Sequence, residues 1–118
     1  MSCTFQTLHF SDKGFIARCK HCGHFHVAFM SAMFIMPETA YYKMCSITQD
    51  KLLEKDYSPT HNSNCVMIPM HTKSAFIMLT RQELLSFAEM LEDADNEYKA
   101  LALISLFNEG NQTNKLNE

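Results

Sequence analysis

This 118-residue sequence has no tryptophan, no cluster of basic residues and no long apolar run. The formal net charge is −3. Without a basic stripe the chain has little with which to neutralise phosphates, which argues against nonspecific nucleic-acid binding. The N-terminus, Met-Ser-Cys-Thr-Phe-Gln-Thr, has neither the basic segment nor the apolar stretch of a secretory signal. The most apolar window, Phe25–Met36, is too short to span a bilayer as a helix. Glycine-rich phosphate loops, nucleophile elbows and His-Glu-x-x-His pairs are also missing. Five cysteines, an odd number, suggest no disulfide framework. The expected setting is a reducing cytoplasm, with no nucleic-acid or membrane partner.

What is present is concentrated in residues 19–26, Cys-Lys-His-Cys-Gly-His-Phe-His. Cys19 and Cys22 form a Cys-x-x-Cys pair, a spacing that lets two thiols chelate one zinc ion. Gly23 follows at once and suits the left-handed backbone of such a turn. Both flanks read as strands, so the setting is that of a zinc knuckle. A redox Cys-x-x-Cys usually opens a helix, and no helix pattern follows Cys22. A closed structural zinc site needs four ligands, and no second pair occurs. His24 and His26, on one face of the outgoing strand, are the expected completion; His61 and Cys65 are the other candidates. A metal-free turn with two reduced thiols stays open beside both.

An ordinary folded core is expected, since 47% of residues are apolar and 19% charged. Thr4–Phe10 alternates as a strand, with Leu8 and Phe10 placed on one face. Ser11–Gly14 is a tight turn. Phe15–Cys19 returns, and strands at His24–Phe29 and Ala32–Met36 follow. Pro37-Glu38 opens a helix with Tyr41, Met44, Cys45, Thr48 and Leu52 on one stripe. Residues 55–64 read as a loop. Cys65–Met70 and Ser74–Leu79 are further strands, with Pro69 pointing to an edge or a bulge. His9 and His71 read as surface or strand-edge residues. Thr80 and Glu83 form a capping box ahead of the longest helix, which carries Leu84, Phe87, Ala88, Leu91, Ala94, Tyr98, Leu101, Ala102 and Ser105 on one face. A bend or restart is expected near Asp93–Asn96, with Asp95 as a second cap. Glu89, Glu92, Asp93 and Asp95 read as a solvated face. The end of the helix, Leu101–Phe107, is apolar nearly all round and calls for a cover, most simply in a homodimer.

A slide of 43 positions lays Ser31–Met36 over Ser74–Leu79, and Tyr41, Tyr42 and Met44 over Leu84, Leu85 and Phe87. The same slide lays Cys22 over Cys65. Each half therefore reads strand–strand–helix. The expected fold is α+β: an antiparallel sheet of about six strands with two main helices on one face. Residues 1–107 form a single domain and residues 108–118 a polar, disordered tail.

The aromatic hairpin Phe15–Cys19, the turn Cys19–Gly23, the strand pair Val27–Met36 and the segment Val66–Leu91 resemble a family of small uncharacterised Bacteroidetes-type proteins, a domain of unknown function. That resemblance implies a small cytoplasmic bacterial protein and transfers no activity. The functional expectation is a non-catalytic binding or interaction protein with a structural zinc at the turn. The alternative is a thiol- or metal-dependent enzyme using Cys19 and Cys22.

Overall fold

The computed structural model describes residues 3–53, 66–70, 72 and 74–116, with side chains as far as Asn108. His61, Cys65, His71 and the expected loop at 55–64 lie outside the described residues. Among the described residues six strands and two helices are present, in the order β1 (Phe5–Ser11), β2 (Gly14–Cys19), β3 (Phe25–Phe29), β4 (Ala32–Met36), α1 (Glu38–Leu53), β5 (Val66–Pro69), β6 (Phe76–Leu79) and α2 (Arg81–Leu116). The class is α+β. All strand pairs are antiparallel, but they form two sheets: a four-stranded meander β1-β2-β3-β4 and a separate hairpin β5-β6.

The meander follows from alternation. Phe25, Val27 and Phe29 are buried, while His26 and Ala28 between them face the other way, half-buried. Leu8, Ile16 and Met36 join the inner side. Tyr41 and Met44 of α1, Leu84, Phe87 and Leu91 of α2, and Ile68, Ile77 and Leu79 of the second hairpin complete one core. Phe25 stacks on Tyr41 with ring centroids 4.0 Å apart, and Phe29 meets Phe87 at 5.1 Å.

Three local features go beyond or depart from the sequence reading. A β-bulge lies between Thr7 and His9. The extra residue breaks the alternation, so Leu8 is buried while Phe10 is 79% exposed on the other face. Met30, in the two-residue turn between β3 and β4, takes φ +57°, a conformation that favours glycine. Its N–H donates to the Lys13 carbonyl at 2.8 Å, which ties the two turns together. Finally, α2 is one helix through Asp93–Asn96. Asp95 does not cap a second helix there but pairs with Lys99 one turn on, at 2.8 Å. The backbone stays helical to Leu116 and takes in most of the stretch expected as a tail; once formed, a helix extends by one hydrogen bond per residue.

The slide of 43 holds for the second strand and the helix of each half. Met36 lies over Leu79, both buried, and Tyr41, Met44 and Thr48 lie over Leu84, Phe87 and Leu91, all buried. It fails for the first strand. Met36 pairs with Phe25, which the slide lays over Ile68, yet Leu79 pairs with Val66.

The start of α2 is capped reciprocally. Glu83 N–H donates to Thr80 Oγ1 at 3.1 Å, and Thr80 N–H donates to Glu83 Oε1 at 2.8 Å. Thr80→Ala should lower the unfolding free energy by about 1 kcal/mol in a urea titration. A loss near zero would mean that water replaces the cap at no cost.

Candidate metal centre

β2 runs straight into the knuckle. Cys19 N–H donates to the His24 carbonyl at 2.9 Å, and Gly23 N–H donates to the Cys19 carbonyl at 2.9 Å. These two bonds close a tight loop over residues 19–24. Gly23 supplies the required left-handed residue, φ +78°. Inside the loop, Cys22 N–H points at Cys19 Sγ, 3.4 Å away. An N–H aimed at sulfur favours the thiolate. This bond pulls the Cys19 thiol down to about 6, against the opposing effect of burial, with the Cys22 and Cys3 side chains assisting.

The third sulfur belongs to Cys3. The Sγ atoms of Cys3, Cys19 and Cys22 all lie within 4.8 Å of one another. Cys19 is buried, while Cys3 and Cys22 are exposed. The hydrogen bond to Cys19 pushes the Cys3 thiol up to about 11, with desolvation and the Cys19 charge adding to it. Cys3 is held in place by β1: Phe5 pairs with Cys19, and Lys20 N–H donates to the Thr4 carbonyl at 2.8 Å. Two thiolates on a tetrahedral zinc, with bonds of about 2.3 Å, sit about 3.8 Å apart. The three sulfurs, within 4.8 Å of one another, therefore lie close enough to share one ion after a shift of about 1 Å at most.

Sequence reasoning singled out Cys19 and Cys22 and passed over Cys3. The signal was in the hairpin register. With Phe5 opposite Cys19, position 3 falls opposite position 21, between the two knuckle cysteines. The candidate histidines are placed differently. Ala17 pairs with His26, and the Cys19–His24 bond continues the same register. Directly opposite residues share a face, so His24 sits one cross-strand step from Cys19 and His26 two residues further along. The His26 ring packs edge-on against Phe5, with centroids 4.7 Å apart. Neither imidazole is within 4.8 Å of all three sulfurs. The three thiols are the single such group of metal-binding side chains among the described residues.

Beside the knuckle, on the outer face of the sheet, Phe5, Thr7, Phe10, Phe15, Ala17 and His26 line an open groove of about 370 Å³. On the acidic face of α2, Asp93 approaches His9 at 3.7 Å and is itself largely exposed. Among the described residues no helix is long and apolar enough to cross a membrane. No curated protein and no solved structure matches the chain. A family of unknown function, DUF6686, matches residues 1–111, the three clustered thiols included, and the chain belongs to that family.

Proposed function

We propose that this is a non-catalytic binding protein whose N-terminal strand is stapled to the β2–β3 turn by one zinc ion, held by Cys3, Cys19, Cys22 and His24. The observation that carries the reading is the three-sulfur cluster built around a knuckle whose backbone N–H already favours a thiolate. Soft sulfur ligands with one imidazole, in tetrahedral array, suit zinc. His24 is preferred to His26 because it lies directly across from Cys19, and because the left-handed Gly23 supplies the sharp curl needed between ligands at 22 and 24. A closed shell leaves no coordination position for a substrate, which is why the reading is structural. The described cysteines are free, consistent with work in a reducing cytoplasm. The exposure of Cys3 and Cys22 favours a second reading, in which water holds the fourth position and the ion is catalytic.

Protein purified without chelator should carry about one zinc per chain by elemental analysis. Cys3→Ser and Cys19→Ser should each release it, and His24→Ala should weaken it. X-ray absorption on the zinc-loaded protein counts three sulfurs and one imidazole nitrogen in the closed site, or three sulfurs and one water oxygen in the catalytic one. A preparation that neither carries zinc nor gains thermal stability on adding it would reduce the knuckle to a plain hairpin.

A further inference from the structure

We infer that a second copy of this chain covers the projecting end of α2, residues 101–107. The inference does not depend on the metal. The core-facing stripe of α2 runs through Leu84, Phe87, Leu91 and Ala94, all buried, to the half-buried Tyr98 and Leu101. Arg18, the residue before Cys19, lies over the Tyr98 ring at 5.2 Å. The helix therefore leaves the domain at the knuckle end of the sheet. Beyond it every described side chain from 102 to 108 is exposed. Leu103, Ile104, Leu106 and Phe107 are 58%, 54%, 64% and 72% exposed. At about 100° per residue, Ala100, Leu103, Ile104 and Phe107 form a stripe about half a turn away from the core-facing one. The domain beneath the helix cannot reach that side.

A second copy is the occupant the seam fits. Residues 100–108, Ala-Leu-Ala-Leu-Ile-Ser-Leu-Phe-Asn, contain no charge with which to select an unlike partner. Apolar spacing of i, i+3, i+4 and i+7 is a helix-pairing pattern, and a twofold axis lets each copy offer the same stripe. The seam is short, about 13 Å of helix, against about 800 Å² per partner in a standard interface. The dimer is therefore concentration-dependent, with a dissociation constant on the order of tens to hundreds of micromolar.

Sedimentation of the full chain up to about 1 mM, where weak interfaces fill, should show the mass rising from 13.6 kDa towards twice that value. Leu103→Glu and Phe107→Glu should hold the protein monomeric throughout, with the melting temperature of dilute protein unchanged. A monomer at the highest concentration overturns the proposal and leaves the seam to an unlike partner. Growth beyond the dimer overturns the twofold contact. A lowered melting temperature in the dilute variants overturns it too, since the segment would then pack within its own chain.

Discussion

Phe25→Ala should lower the unfolding free energy by about 3–5 kcal/mol. Phe25 is 0% exposed and stands where the meander meets both helices. On β3 it pairs with Arg18 of β2 and Met36 of β4. Its ring lies nearly parallel to Tyr41, 8° between planes, and takes the edge of Tyr98 at 5.9 Å. Truncation removes the aromatic transfer energy and also leaves a cavity that the stiff sheet cannot close. Tyr41 sits on α1 and Tyr98 on α2, so the loss loosens both helices from the meander at once. Urea titration measures it as a lower midpoint at unchanged slope. A loss under about 1 kcal/mol would mean that the cavity collapses and that the stack contributes little.

Gly14→Ala should be at least as severe, about 3 kcal/mol or more, and for a different reason. A Cβ on Gly14 would stand 2.0 Å from the Ala28 carbonyl oxygen and 2.9 Å from its carbon. Both are backbone atoms of β3, so no rotamer change relieves the clash. The strands must part where Gly14 faces Phe29, which also unseats Phe29 from Phe87. Gly23→Ala makes the instructive comparison. There the nearest atom is the flexible end of Arg18, 3.7 Å away, and the cost is the left-handed backbone alone, about 1–2 kcal/mol. If Gly14→Ala proved no worse than Gly23→Ala, the close approach of β2 and β3 would not be what requires glycine at 14.

Local chemistry was enough to read much of this protein from its sequence. The capping box at Thr80 and Glu83 needs only four consecutive residues, and it forms as written. Alternation in Phe25, Val27 and Phe29 is a property of one strand, and it sets the buried face. The spacing of Tyr41, Met44 and Thr48 does the same for α1. The Cys19–Gly23 turn is likewise self-contained, because its hydrogen bonds join residues five or fewer apart.

What depends on distant parts of the chain meeting was decided by the tertiary structure. Six strands were legible, but not their division into two sheets, which depends on how edges pair after the chain has turned back twice. The bulge that sends Leu8 inward and Phe10 outward was not legible, since a single unpaired residue leaves no trace in composition. Cys19 and Cys22 could be singled out as candidate ligands by spacing, whereas Cys3 joined them only through the pairing of β1 with β2. A short motif carries its own geometry because a few covalent bonds restrict where its atoms can go. Cys3 lies sixteen residues from Cys19, and over that separation only the strand register, set by which side chains are buried, brings the two sulfurs together.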